Sequence, residues 1–154
     1  MKSIRILIIG ALFFISFLLL RDFVYPTTDN SIDDPSAIPL ELDPRCIAIN
    51  PFTDQAVVVG VRPNTVCIID MGTEKILSTI SLGKSPRGVA IDHELNLALV
   101  SYGLFPRSNL SVIDLEKNQV MKTISVGKFP VSMAVNQVSH VVLVADFWGR
   151  SVSV

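Results

Sequence analysis

Five arginines stand in the segments that separate short apolar runs: Arg45, Arg62, Arg87, Arg107 and Arg150. A guanidinium is a planar fork of donors that fits a carboxylate or a phosphate, so its repeated use favours a specific anion over simple solubility. Trp148, beside Phe147, has a ring that could stack on a ligand, although packing against a neighbouring element is the favoured interpretation. We predict an anion-binding surface that contains these arginines and Trp148.

Other groups give little evidence for catalysis. Asp70 and Asp114 each follow an apolar run and precede a turn, which favours turn capping by the carboxylate over acid–base chemistry. Gly83-Lys84-Ser85 lacks the earlier glycine of a phosphate-binding loop, because Ser78 stands at that position. The sequence therefore indicates no catalytic residue. Whether the chain is an enzyme stays open, with a non-enzymatic role favoured.

The histidines and cysteines do not form a metal-binding pattern. His93 and His140 stand in turns without a carboxylate or a cysteine at ligand spacing, which favours solvated turn residues and no metal site. A Cys-x-x-Cys-His haem motif is missing, and no other cofactor can be named. Cys46 and Cys67 fall on the first and third predicted strands of one unit, roughly 9–10 Å apart. A disulfide spans at most ~7 Å between Cα atoms, so both are predicted to be unpaired.

A repeat that begins at Pro44 carries these residues. The segment 44–50 (PRCIAIN) recurs as 86–92 (PRGVAID) and 130–136 (PVSMAVN), at spacings of 42 (86 minus 44) and 44 (130 minus 86). Residues 44–59 aligned on 86–101, with 66–86 on 110–130, share 14 identities in 37 positions. Unrelated segments would share roughly two or three, so self-similarity at a fixed period predicts a repeat architecture.

Each unit contains four apolar runs bounded by Asn, Asp, Gly and Pro. In the second unit they are Gly88–Ile91, Leu97–Ser101, Leu110–Leu115 and Gln119–Val126, which predicts four strands. A four-stranded unit of ~40–45 residues is typical of a β-propeller blade. We predict an all-β propeller of about two and a half blades, with bounds of 44–85, 86–129 and an incomplete 130–154.

The motifs PRGVAID, LSVIDL and TISVGKFP resemble the YVTN, or YncE-like, family of propeller repeats. The Tyr-Val-x-Asn segment of that family appears here as Leu99-Val100-Ser101-Tyr102, and the Trp-Asp ending of WD40 blades is missing. The resemblance covers 44–154 and implies a surface or periplasmic propeller that binds a ligand. Quinoproteins, lactonases and d1-haem enzymes use related propellers, so a domain of a periplasmic enzyme is the alternative function.

Charge separates between the two ends of the predicted blades. In an up-and-down meander, loops joining strand two to three, and strand four to the next blade, share one face. This basic face collects Arg45, Arg62, Lys84, Arg87, Arg107, Lys128 and Arg150 against Asp43 and Asp146, a balance of +5 (7 minus 2). The opposite, acidic face collects Asp54, Asp70, Glu74, Asp92, Glu94, Asp114 and Glu116 against Lys75 and Lys117, a balance of -5 (2 minus 7). A basic rim concentrates anions; copying of loop residues along with the repeat is the alternative explanation.

Residues 1–25 have the pattern of a membrane-targeting segment. Lys2 and Arg5 precede fifteen uncharged residues, Ile6 to Leu20. No small-x-small cleavage site follows, so an uncleaved hydrophobic helix is favoured over a removed signal peptide, although a span needs ~20 residues. The positive leader predicts that the remainder faces the periplasm or the cell exterior, anchored in the inner membrane or secreted.

Residues 26–43 are predicted to be a linker. Within it, Ile38-Pro39-Leu40 aligns with Ile80-Ser81-Leu82, which suggests that 36–42 form a closing strand. The chain stops at Val154 inside a predicted strand, and propellers close with about 4 to 8 blades, so we expect a fragment of a longer reading frame. The net charge of -1 excludes an overall basic or acidic protein. We expect an extracytoplasmic binding or scaffold protein with an anionic ligand or protein partner, nucleic acid among the alternatives, and membrane contact through the N-terminal segment.

Overall fold

A computed structural model of the chain describes residues 37–83, 85–104 and 106–154. In these residues, apolar runs bounded by turn residues form strands. Blade 1 contains β1 (Asp43–Asn50), β2 (Gln55–Val61), β3 (Thr65–Asp70) and β4 (Lys75–Ser81). Blade 2 contains β5 (Gly88–Asp92), β6 (Leu97–Leu104), β7 (Arg107–Asp114) and β8 (Gln119–Val126). Blade 3 contains β9 (Pro130–Asn136), β10 (Val141–Asp146) and β11 (Ser151–Ser153). Within each blade, strands that follow each other in the chain pair antiparallel, which confirms the predicted meander.

The middle strands of blades 1 and 2 are apolar on both faces because these two blades are covered on both sides. In β2, Val57 and Val59 point to one side of blade 1, and Ala56 and Val58 to the other; all four are buried. Strands buried on both faces lose the polar alternation of a half-exposed sheet. The outer strands β4 and β8 carry mostly exposed residues instead.

Two apolar layers join the blades. The layer between blades 1 and 2 contains Val57, Val59, Val66, Ile68, Ile91, Ala98, Val100, Ile113 and Leu115. The layer between blades 2 and 3 is built around Leu99, Leu110 and Val144. The first strands of the blades, β1, β5 and β9, are neighbours in that order, so we call them the inner strands.

The segment before β1 covers the far face of blade 1. Ile38 and Leu40 pack against a cluster that includes Leu42, Val58 and Cys67. No strand occurs within 37–42, and the suggestion of a closing strand stays a prediction. The predicted targeting segment 1–25 and the linker up to residue 36 lie outside the described residues. Among the residues that the structure describes, no helix is long and apolar enough to span a bilayer.

The two cysteines are free, as predicted. β2 lies between their strands: Cys46 of β1 is opposite Val59, whereas Cys67 of β3 is opposite Val58. Cys46 donates its S–H to the backbone carbonyl of Arg87 at 3.0 Å, and burial raises the pKa of its thiol. The thiol therefore joins blade 1 to blade 2.

The glycine of the Thr-Ile-Ser-x-Gly-Lys motif leaves room for a side chain of the next blade. At Gly83 the ring of Tyr102 occupies the space of a Cβ, and at Gly127 the carboxylate of Asp146 does so. Tyr102 and Asp146 occupy the same position of their repeats, 44 residues apart (146 minus 102). Packing, not phosphate binding, accounts for this Gly-Lys pair.

Replacing Gly127 with alanine is therefore expected to destabilise the protein by about 1–3 kcal/mol, the usual cost of overpacking. Gly72→Ala is the matched control, because its Cβ would lie at an ordinary 3.4 Å from the Asp54 carboxylate. Urea unfolding of both full-length variants measures the difference. Equal midpoints for the two variants would contradict the packing explanation.

Candidate anion-binding site

The connections of the basic face contact each other directly. The turn 147–150 and the blade 2–blade 3 connection are joined by hydrogen bonds from Phe147 N to Phe129 O (3.0 Å) and from Trp148 N to Lys128 O (3.2 Å). The backbone at Phe129, Arg150 and Arg62 is left-handed, with φ values of 59, 50 and 52 degrees. These bonds fix the positions of the side chains that the turn presents.

Two of the predicted site residues lie in strands, not in loops. Arg107 is the first residue of β7, because β6 and β7 pair out to Leu104 and Arg107 and shorten the connection. Arg45 lies within β1, at a register shift between Pro44 and Cys46. A bulge of this kind redirects a side chain at the rim of a sheet.

Arg87, Phe129 and Trp148 form an arginine–aromatic stack. The guanidinium carbon of Arg87 lies 3.8 Å from the ring centroid of Phe129. The Phe129 and Trp148 rings are stacked, with centroids 4.2 Å apart and an interplanar angle of 26 degrees. A guanidinium is attracted to the negative face of an aromatic ring, so the stack holds the charge of Arg87 in place. The predicted packing role of Trp148 therefore has a specific partner, Phe129, and the residue is still 53% exposed.

Phe129 adopts an unusual backbone conformation for its residue type. The residue before the proline has positive φ in both connections, 58 degrees at Ser85 and 59 degrees at Phe129. A bulky residue is strained there, and a small polar residue such as Ser85 is more readily accommodated. Stacking with Arg87 and Trp148 gives the phenylalanine a reason to occupy this position.

Arg45 and Arg87 are neighbouring positive charges. Burial, and then the charge of Arg45, lower the pKa of the Arg87 guanidinium. The Nε of Arg87 is covered and has no hydrogen-bond partner among the described residues. A guanidinium with an unpaired N–H beside a second cation favours the approach of an anion.

Arg62 and Arg150, two further arginines of the basic face, are exposed. Arg62 pairs with Asp43, and its Nε lies 2.6 Å from that carboxylate in a solvent-exposed position. Arg150 is exposed and closes the turn that carries Trp148, with its N–H donating to Phe147 O at 3.4 Å. Of the six predicted residues, the structure thus brings Arg45, Arg87 and Trp148 into one neighbourhood.

Carboxylates on the acidic face cap turns, as predicted. Asp70 accepts the N–H of Thr73 at 2.7 Å, and Asp114 accepts the N–H groups of Glu116 and Lys117 at 2.9 Å each. These backbone donors are the main cause that lowers the pKa of both aspartates. Both carboxylates therefore have a structural role.

His140 lies in an exposed turn, as predicted, but its imidazole also contacts a carboxylate of the neighbouring blade. Its Nδ1 lies 2.8 Å from the Asp92 carboxylate of blade 2, which is 3% exposed, and its Nε2 is 4.0 Å from Glu94. A carboxylate can only accept, so Nδ1 carries the proton of this bond. His93 contacts the edge of Phe52 at 4.6 Å between ring centroids. Spatial neighbours that are distant in the sequence supply these partners.

The Asp92–His140 pair repeats at the preceding blade boundary. Asn50 corresponds to Asp92, Asn96 corresponds to His140, and Asn50 Nδ2 donates to Asn96 Oδ1 at 2.8 Å. Asn96 and His140 have φ values of 53 and 55 degrees, a conformation in which Asn and His are enriched. Aligned repeats could have revealed this contact, because both members recur in register.

Within residues 37–83, 85–104 and 106–154, no three His, Cys, Asp or Glu side chains are placed so that they could hold a metal ion together. The candidate site consists of arginines and aromatic rings. Such groups attract and orient anions, whereas bond making would require an additional nucleophile, acid or base.

Three solved structures share the fold. Kuenenia stuttgartiensis hydrazine synthase matches at 19% identity and a TM-score of 0.62, over 73% of this chain and 32% of that one. A protein of unknown function from Desulfotomaculum acetoxidans matches at 21% identity and 0.61, over 75% of this chain and 41% of that one. The β-propeller domain of Myceliophteria thermophila Cps50 (Swd1) matches at 16% identity and 0.55, over 66% of this chain and 32% of that domain.

These similarities show a β-propeller fold, in agreement with the repeated four-stranded blades. The chain spans between a third and two fifths of the length of these proteins. No protein-family model matches the chain, and no curated protein does either.

Proposed function

We propose that this chain is part of a propeller that binds an anionic ligand or protein partner through its basic face. The separation of charge between the two loop faces carries the proposal. On the basic face, Asp43 is paired with Arg62 and Asp146 is 2% exposed, so neither carboxylate compensates Arg45 or Arg87 directly. Uncompensated positive charge at one end of the blades attracts anions over several ångströms.

The resemblance to YVTN repeats and the N-terminal pattern support a place for this binding outside the inner membrane. A leader with Lys2 and Arg5 before an apolar run directs the following residues across that membrane. That family includes surface and periplasmic propellers, some of which bind ligands. The arginines and aromatic rings of the basic face are suited to such a binding or scaffold role.

Heparin affinity chromatography of the full chain tests the role of the basic face. We expect Arg87→Ala/Arg150→Ala to elute at clearly lower salt than the parent, because exposed charges act over about 10 Å at 0.1 M salt. Lys75→Ala/Lys122→Ala is the matched control, since it removes two exposed lysines that lie away from this face. It should elute close to the parent.

The control corrects for the general effect of net charge, because both variants lose two positive charges. A variant of Asp92, on the acidic face, would be a poor control in this experiment, because its buried carboxylate is paired with His140. If the two double variants elute at the same salt, charge alone explains retention and the basic face is not the binding surface.

A further inference from the structure

Arg45 and Arg87 occupy the same position of successive repeats. Each follows a proline at the start of an inner strand, in the segments 44–50 and 86–92, whereas blade 3 has Val131 there. The inner strands β1 and β5 are neighbours, and Cys46 Sγ lies 3.0 Å from the carbonyl oxygen of Arg87. The repeat thus places two guanidinium side chains at the same end of adjacent inner strands.

Arg87 is anchored through both its backbone and its guanidinium. Its backbone N–H donates to Ser101 O at 2.9 Å, and its guanidinium lies on Phe129, which in turn stacks on Trp148. Stacking occupies a face of the guanidinium and Nε is covered, so an acceptor in the guanidinium plane would bind the Nη N–H groups. Phe129 therefore orients the fork as well as contributing a contact.

The charges of Arg45 and Arg87 call for an external counterion. Asp43 pairs with Arg62. Asp146 is buried; its Oδ2 accepts the hydroxyl of Ser153 at 2.6 Å, and its Oδ1 has no partner among the described residues. Two adjacent cations repel each other, and burial of Arg87 reduces screening by water. A ligand with two negative charges compensates both guanidiniums at once.

We propose that Arg45 and Arg87 clamp a compact dianionic oxyanion, either a phosphate monoester or a pair of carboxylates, with Phe129 as a positioning residue. The proposal rests on the proposed function and names the subsite and the ligand chemistry on the basic face. Arginine forks bind phosphate and carboxylate oxygens through paired, charge-assisted hydrogen bonds. The proposal involves binding alone, and no bond is made or broken.

The full chain offers a built-in probe, because Trp148 is its only tryptophan and ends the stack. We expect inorganic phosphate, or succinate, to bind saturably and to change Trp148 fluorescence at constant ionic strength set with sodium chloride. The tighter of the two anions identifies the phosphate or the dicarboxylate source. Equilibrium dialysis with radiolabelled anion counts the bound molecules independently of the fluorescence.

Variants then locate the site. Arg45→Gln is expected to weaken binding about tenfold or more, the effect of one charge-assisted pair of hydrogen bonds. Arg87→Lys retains the charge but loses the fork, so a similar loss is expected. Phe129→Leu keeps every charge and should weaken binding about three- to tenfold through loss of the cation–π contact. Lys122→Gln, on the exposed outer strand β8 away from the basic face, should stay within about twofold of the parent.

Three results would overturn the clamp: no saturable binding of either anion, losses by Lys122→Gln equal to those by Arg45→Gln, or full binding by Arg87→Lys. The heparin experiment keeps this failure separate from that of the proposed function. Retention that depends on the basic face, without a phosphate or succinate site, leaves the binding function intact and removes only the clamp.

Discussion

Replacing Ile68 with alanine is expected to lower the free energy of unfolding by about 2–5 kcal/mol, the range for buried Ile→Ala changes. Ile68 is fully buried in the apolar layer between blades 1 and 2, where it packs with residues of both. The substitution removes three carbon atoms and leaves a cavity that neighbouring strands fill only in part. Because the layer joins two blades, the loss weakens their association as well as blade 1 itself.

Ile47→Ala is the matched control, since the same residue type is 61% exposed on the inner strand β1. Its cost should stay below about 1 kcal/mol, the span of strand propensities. Urea unfolding of the full chain, followed by far-ultraviolet circular dichroism, measures both values. A similar loss for the two variants would mean that the layer between the blades does not contribute as described.

Removal of the His140 side chain is expected to cost about 1–3 kcal/mol, because it leaves a buried carboxylate short of a hydrogen bond. Asp92 accepts the N–H of Leu95 at 3.1 Å within its own blade and is 2.8 Å from His140 Nδ1 of blade 3. His140→Ala therefore removes only the bond between blades. The turn cap remains, so the expected loss concerns the attachment of blade 3 to blade 2.

His93→Ala provides the comparison, since His93 lies in the preceding turn and its ring has an edge contact with Phe52. Its removal should cost less than about 1 kcal/mol. A double-mutant cycle of His140→Ala with Asp92→Asn, measured by urea unfolding, isolates the coupling between the two side chains. A coupling energy close to zero would show that the pair does not stabilise the blade boundary.

These two predictions concern the scaffold on which the candidate site depends. Arg45 belongs to blade 1, Arg87 begins blade 2, and Trp148 lies in a turn of blade 3. A change in the packing between blades would shift these side chains relative to one another. We therefore expect the site to be more sensitive to substitutions at blade boundaries than to substitutions on the exposed outer strands β4 and β8.

The repeat alone was sufficient to predict the blades. Apolar runs of strand length at spacings of 42 and 44 residues leave few ways to bury their side chains, so the four-stranded meander followed from local pattern. The turn-capping roles of Asp70 and Asp114 were equally predictable, because an Asp at a strand end bonds to N–H groups only two or three residues away. The unpaired state of the cysteines followed from strand order.

The tertiary structure decided the contacts between residues that are distant in the chain. The partners of Arg87 and Asp92 come from connections more than 40 residues away, Phe129 and His140, and no local pattern encodes such a pairing. Arg107 was predicted to lie in a loop but is the first residue of β7, because the pairing of two strands, not the composition of one segment, sets where a hairpin ends. Local propensity acts over a few residues, whereas the packing of one blade on the next brings side chains of different repeats together. The sequence therefore determined the blades and the sign of each loop face, and the packing of the blades selected the arginines and aromatic rings that share a site.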